Sequence, residues 1–387
     1  MAVVRQINAD SGLLNLLDQL EQQQANKATL EFGMNSYFDR IARQRGIPIK
    51  GTFELTPLCN LNCKMCYVHL SQEQLSQQEK KQLTGSQWIQ IMQQAIDCGM
   101  MYTLLTGGEA LLHPDFEKIY LFLLNRGIQV SVNTNGLLLD EKRIAFFQKY
   151  RPREIHITLY GANDDVYEAV TGRRAFNRVI QAIRQAKEAG LALLVNVTPN
   201  RYMPVEDALS LIQLISSMGV RYGINSNLSI PREETGRAED RHDMSLDEYI
   251  QLYKRVKLLQ DEQIRPVCEE EIPLPGGNVR DELKGFRCGG GRSSFSIVWH
   301  GAMQPCLTVT DLRADALSMP VAQAWQQVNE AVRNYPIPRE CSGCAFERLC
   351  PVCVAQHAED APLGHASPRL CARARRLIRD GVVSLDS

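Results

Sequence analysis

Residues 56–70 read TPLCNLNCKMCYVHL. Cys59, Cys63 and Cys66 are separated by three and then two residues, and the aromatic Tyr67 follows at once. A structural zinc site uses four ligands, and an iron–sulfur cluster held wholly by protein uses four thiolates. A group that stops at three leaves one iron of a cluster open to a small molecule. The same spacing also suits half of a zinc site completed from elsewhere, or cysteines packed in a buried strand. What surrounds the triplet has to decide.

Outward from the triplet, the chain repeats a strand-then-helix unit. Residues 12–45 read as a polar helical lead-in. GTFELTPLC (51–59) reads as a strand, and SQWIQIMQQAIDCG (86–99) as an amphipathic helix ended by Gly99. MMYTLLTGGE (100–109) is a second strand, paired with PDFEKIYLFLLNRG (114–127), where Pro114 opens and Gly127 closes the helix. IQVSVNTNG with DEKRIAFFQKY, EIHITLYG with AFNRVIQAIRQAKEAG, LALLVNVTPN with VEDALSLIQLISSMG, and VRYGINSNLS with LDEYIQLYKRVKLLQ complete the series. Alternating β-branched strands and amphipathic helices imply right-handed βαβ units on a parallel sheet. Six units over residues 51–260 are too few for a closed eight-unit barrel. The expected fold is therefore α/β: a partial (β/α)6 barrel over 51–262, after an N-terminal helical segment (1–50) and before a small cysteine-rich domain with a C-terminal helix (263–387). The triplet follows strand one, GGE strand two, NTNG strand three and LYG strand four, so polar motifs meet on the rim at the carboxyl ends of the strands.

The chain has 387 residues, 44% of them hydrophobic and 22% charged, as in ordinary globular proteins. Its 43 basic and 44 acidic side chains leave a net charge of −1, and no global field favours nucleic acid or an anionic membrane. The locally basic PRLCARARRLIRDG reads as a solvated helix face. No signal-like or membrane-spanning apolar run is present, so a cytoplasmic location is expected. In that reducing compartment the twelve cysteines argue for metal or redox chemistry rather than disulfides.

With these residues in view, the sequence resembles the radical S-adenosylmethionine (SAM) superfamily over nearly all of 51–260. The C-x3-C-x2-C-aromatic signature of Cys59, Cys63, Cys66 and Tyr67 carries the likeness, and TGGEALLHPDF after strand two supports it. The resemblance implies that the three thiolates hold a [4Fe-4S] cluster whose fourth iron is chelated by the amino and carboxylate groups of SAM. It further implies that Gly107 and Gly108 allow close approach to the methionine moiety, and that Glu109 accepts from its ammonium while adding little to core packing. Asn135 and Thr158 are expected beside the nucleoside. Relatives often carry Asp after strand four and Arg directly before a glycine; here Tyr160 and Thr171-Gly172 stand there, with Arg173 just beyond. Either Arg173 or Arg174 could meet the SAM carboxylate, or both could be surface arginines.

A second cysteine array follows: Cys288, Gly301 and Cys306, then Cys341, Cys344, Cys350 and Cys353, then Cys371. Spacing alone leaves a zinc ribbon on Cys341, Cys344, Cys350 and Cys353 and an iron–sulfur site both open. The array resembles the SPASM extension of radical SAM enzymes, which binds two auxiliary [4Fe-4S] clusters, although its last internal spacing is two residues where the commoner pattern has three. By that resemblance Cys341, Cys344, Cys350 and Cys371 ligate the outer cluster, and Cys288, Cys306 and Cys353 the inner one. The inner set is one thiolate short, and Cys268 is the alternative to an open site. Cys98 is expected as a packed core residue.

The resemblance implies a peptide-modifying oxidoreductase, as in ribosomal peptide maturation, with a flavodoxin or ferredoxin as electron donor. About fifty residues before strand one are too few for a leader-recognition domain, so a separate leader-binding protein is expected if one is used. The alternatives are a sulfatase-maturase-like or small-molecule radical SAM dehydrogenase and, from another class, a non-enzymatic iron–sulfur or zinc scaffold.

Overall fold

The computed structural model describes residues 27–225, 228–232, 235, 241–262, 286, 288–346, 350 and 353–382, apart from the side chains of 27–34 and 260–262. Residues 12–26 of the helical lead-in and Cys268 lie outside the described residues. Helix α1 (Lys27–Arg45) leads into six strands, β1 (Lys50–Glu54), β2 (Tyr102–Thr106), β3 (Gln129–Thr134), β4 (Glu154–Leu159), β5 (Leu193–Val197) and β6 (Arg221–Ile224). All six are parallel and pair in chain order. Helices α3 (Gly85–Asp97), α4 (Phe116–Asn125), α5 (Glu141–Lys149), α7 (Phe176–Glu188), α8 (Val205–Ser217) and α9 (Leu246–Glu262) follow successive strands, as the hydrophobic periodicity predicts.

Two short helices escape that periodicity. α2 (Gln72–Gln77) is set by a reciprocal capping box between Ser71 and Gln74. α6 (Asp164–Thr171) runs from an Asn163 cap to Gly172, whose φ of 76° ends it in the left-handed region. It lies between β4 and α7, and its carboxyl end becomes the support of the cysteine loop.

Strand burial alternates. Ile155, Ile157 and Leu159 of β4 are fully buried toward the helices, whereas Glu154, His156 and Thr158 are half-buried on the concave face. The same alternation puts Thr52 and Glu54 of β1, Asn133 of β3 and Asn196 of β5 on that concave face. An apolar shell outside and a polar wall inside are what a barrel that receives a polar ligand requires.

The sheet does not end at β1. β7 (Ser294–Ile297) lies parallel beside it, and β8 (Ala302–Gln304) and β9 (Ala314–Asp315) continue antiparallel, giving nine strands in the order β6-β5-β4-β3-β2-β1-β7-β8-β9. The segment before the last cysteines is thus built onto the barrel. Phe53 of β1 meets Trp88 of α3 edge-on at 5.9 Å and Phe295 of β7 at 5.8 Å, and Phe295 meets Trp325 of α10 (Val321–Arg333) at 6.1 Å. Each such contact adds about 0.5–1.5 kcal/mol beyond the area it buries. Helices α11 (Val354–Asp360) and α12 (Pro368–Arg379) are the last among the described residues.

Candidate active site at the carboxyl ends of the strands

The loop after β1 carries Cys59, Cys63 and Cys66, all half-buried. Its backbone is held from below: Asn62 and Lys64 donate N–H bonds of 3.0 Å to the carbonyls of Thr171 and Val170 at the end of α6. Cys66 N–H closes a turn onto the Cys63 carbonyl at 3.1 Å. Cys59 Sγ accepts from Leu61 N–H at 3.4 Å and faces Asn135 Nδ2 at 3.6 Å. Burial pushes the Cys59 thiol up to about 12, against the pull of the Leu61 N–H. A thiol so shielded ionises when a cation takes its proton's place, which is what coordinated iron does.

Gly107 and Gly108 pack closely against the chain's own backbone. Gly108 N–H donates to Thr56 O at 2.7 Å and Glu109 N–H to Leu58 O at 2.8 Å. A Cβ on Gly108 would lie 2.4 Å from Leu58 O and 2.6 Å from Pro57 O, and one on Gly107 2.5 Å from Thr56 O. The glycines let the β2 loop press against the strand that feeds the first cysteine.

Glu109 also has more structural work than the sequence suggests. It is 1% exposed, and its carboxylate accepts from Leu111 N–H at 3.1 Å, Thr134 Oγ1 at 3.0 Å and Asn135 N–H at 2.8 Å. The expectation that it adds little to the fold is corrected here: it ties the β2 and β3 loops together. Three of about four acceptor positions are filled within the chain. Burial pushes its pKa up to about 7 in spite of those bonds. Asn135 completes the tie, donating from Nδ2 to Asn60 Oδ1 at 2.6 Å and accepting Leu137 N–H at 3.0 Å.

The remaining expected residues lie around the same mouth. Thr158 is half-buried on the concave face of β4. Arg173 reaches the Asn60 carbonyl of the cysteine loop at 3.4 Å, whereas Arg174 pairs outward with Asp165 and Glu168. Of the two arginines, the first is on the side of the site. Tyr67 lies under the Arg232 guanidinium, 5.2 Å from its ring centre. Tyr160 and Tyr167 add aromatic walls: burial, and then the nearby Cys63, push both phenols upward. Tyr160 was legible only as a departure from the family pattern; nothing in the sequence pointed to Tyr167, Asn60, Glu54 or Arg232.

In the second array, Cys306 and Cys353 pack against one small core of Phe286, Val309, Val332, Val354 and Ala355. Cys288 reaches the surface but is shielded on its other sides; burial pushes the thiols of Cys288 and Cys353 up, and the nearby Cys306 adds to both. Cys288, Cys306 and Cys353 are thus mutual neighbours. Cys341 and Cys344 share a turn, with Cys344 N–H on Cys341 O at 3.3 Å, and Cys371 sits in the first turns of α12. Cys98 caps α3, half-buried against the main core.

Residues 53–215 match the radical SAM superfamily among known protein families. That stretch is a radical SAM domain. Among curated proteins it is 23% identical to the AdoMet-dependent heme synthase of Methanosarcina barkeri, over 79% of this chain and 90% of that one. It is 24% identical to the antilisterial bacteriocin subtilosin biosynthesis protein AlbA of Bacillus subtilis, over 67% of this chain and 55% of that one. Among solved structures, Streptococcus suis SuiB bound to S-adenosylmethionine superimposes with a TM-score of 0.67 at 16% identity, covering 92% of this chain and 86% of that one, which is a likeness of fold.

Radical SAM enzymes carry a [4Fe-4S] cluster and SAM, and the residues present fit that group: three half-buried thiols on one pinned loop, N–H donors on sulfur, and a polar concave wall beyond. Among the described residues no three His, Cys, Asp or Glu side chains converge tightly enough for a single metal ion. A cluster spreads its thiolates over separate irons and needs no such convergence. No helix among the described residues is long and apolar enough to cross a membrane.

Proposed function

We propose that this radical SAM enzyme abstracts hydrogen from a peptide substrate and so installs a post-translational modification: a crosslink, an epimerisation or an oxidation. The observation that supports this best is the gathering of Cys288, just before β7, Cys306, just after β8, and Cys353, at the start of α11, around one small core beside the sheet extension. This is the arrangement expected of a peptide-modifying enzyme with auxiliary clusters. The relative named for bacteriocin biosynthesis and the solved complex of SuiB with its precursor peptide support the same class.

In this reading Cys59, Cys63 and Cys66 hold the SAM-binding [4Fe-4S] cluster, Cys288, Cys306 and Cys353 an inner auxiliary cluster, and Cys341, Cys344, Cys350 and Cys371 an outer one. When bound, the first cluster supplies the electron that cleaves SAM to a hydrogen-abstracting 5′-deoxyadenosyl radical. The chain binds and orients. Glu109 offers its remaining acceptor position to the SAM ammonium, Thr158 and Asn135 border the nucleoside, and Arg173 stands at the rim for the carboxylate. Tyr160, Tyr167 and the pinned loops exclude water from the reacting centre. The partners of this reading are a cytoplasmic flavodoxin or ferredoxin as electron donor and, where the substrate needs one, a leader-binding protein.

A second reading, a small-molecule radical SAM dehydrogenase, is favoured by the heme synthase, 90% of whose length is matched against 55% for AlbA. The two are separated by incubating the reconstituted enzyme anaerobically with SAM, dithionite and the short peptides encoded beside its gene. Loss of hydrogens or an inverted residue in a peptide, seen by mass spectrometry and chiral analysis, is expected. Peptides recovered unchanged while a small molecule is oxidised would replace this proposal with the second reading.

A further inference from the structure

The segment that follows β6, the last strand of the barrel, returns to β1, the first. Leu228 packs with Met65 of the cysteine loop and Val170 of α6. Four residues on, Arg232 is buried against Glu54 at the carboxyl end of β1, with Nη1 on Oε1 and Nη2 on Oε2, both at 2.9 Å. The side chains are 5% and 1% exposed. Nη2 also donates to the Leu307 carbonyl at 2.8 Å, and the Arg232 backbone N–H donates to the Tyr67 carbonyl at 3.1 Å. The guanidinium lies over the Tyr67 ring at 5.2 Å. Thr235 then anchors the segment, accepting from Gln74 Nε2 at 3.0 Å through its carbonyl.

Both backbone contacts fall next to a cysteine. Tyr67 follows Cys66, and Leu307 follows Cys306. One residue therefore grips the first cysteine loop, the first strand and the segment that carries Cys306. Two buried charges are a costly way to hold a fold together, and an apolar pair of similar size often serves stability as well. What an apolar pair cannot do is hold its partner in a forked geometry while bonding a main-chain carbonyl of another segment.

We propose that Arg232, oriented by Glu54, is a positioning residue that fixes the loop of Cys59, Cys63 and Cys66 relative to the segment of Cys306, and so sets the spacing of the two metal sites. The inference rests on the proposed auxiliary cluster for its spectroscopic consequence, and on geometry alone for its mechanical one. The test uses the full chain, reconstituted with iron and sulfide, as the parent, the Glu54→Met/Arg232→Met double variant and Arg232→Lys. The double variant leaves no buried charge unpaired and is expected to fold with nearly the parental melting temperature. Two readouts are compared: hydrogen exchange in peptides covering 57–70 and 303–309, and the magnetic interaction between the reduced clusters in the electron paramagnetic resonance spectrum.

Faster exchange in both segments together with altered cluster–cluster coupling is expected in the double variant. Arg232→Lys, which keeps the charge but loses the fork, is expected to behave in the same way. Either segment at the parental exchange rate, an unchanged coupling spectrum, or a Lys variant indistinguishable from the parent would overturn the proposal. A parent whose second cysteine set binds no iron refutes the auxiliary cluster instead; iron analysis reveals this before any variant is compared, and the exchange result then decides the clasp alone.

Discussion

At the scale of single residues, the site depends on groups whose neighbours do more than their identity suggests. Glu109 is the clearest case. Its folded pKa is raised from the ordinary carboxylate value to about 7, chiefly by burial. A raised pKa means that the folded state holds the proton more tightly than the unfolded one. Its favourable contribution is thus complete below the ordinary carboxylate range and is lost as pH rises through about 7. The chain without iron should therefore lose stability between pH 5 and 8, by roughly 1–3 kcal/mol. Glu109→Gln should flatten that slope; urea unfolding at several pH values measures it, and an unchanged slope contradicts the role. Gly108→Ala is expected to cost about 1–3 kcal/mol by overpacking, because the added carbon would lie 2.4 Å from a carbonyl that cannot retreat without moving Cys59. Thermal unfolding with a parental midpoint would contradict this.

At the scale of elements, the sequence was legible where a local rule governs. The cysteine triplet, the six strands and the long amphipathic helices follow from spacing and periodicity, each of which acts over a few residues. α6 was within reach, since Asn163 and Gly172 are a cap pair, but its eight residues are too few for a periodic signal. β7, β8 and β9, of four, three and two residues, carry no pattern of their own; they exist because β1 offers an open edge. Glu54 and Arg232 lie 178 residues apart, and no local rule joins them. Glu109 stands out in the sequence beside Gly107 and Gly108, but its three internal bonds depend on where the β3 loop arrives.

At the scale of the whole molecule, the nine-stranded sheet makes the barrel and the cysteine-rich segment one cooperative structure. Cutting the chain after residue 262 would strip β7 from β1, expose Phe53 where Phe295 covers it, and free the Trp325 Nε1 bond of 2.7 Å to Gly46 O. A buried central strand would become an open apolar edge. The truncated chain is expected to aggregate, as light scattering would detect; a monomer with the parental circular dichroism and melting temperature would show that the barrel stands alone.

In the proposed function Cys59, Cys63 and Cys66 serve SAM cleavage while the later cysteines serve separate clusters. The most direct measurement is 5′-deoxyadenosine formation, with iron content, in the anaerobically reconstituted parent and in the variant with all three cysteines replaced by Ala. The parent is expected to make 5′-deoxyadenosine with SAM and dithionite, and the variant to make none while retaining about two-thirds of the parental iron, since one of three equal clusters is lost. A parent that makes no 5′-deoxyadenosine, or a variant that makes it at the parental rate, would contradict the proposed function.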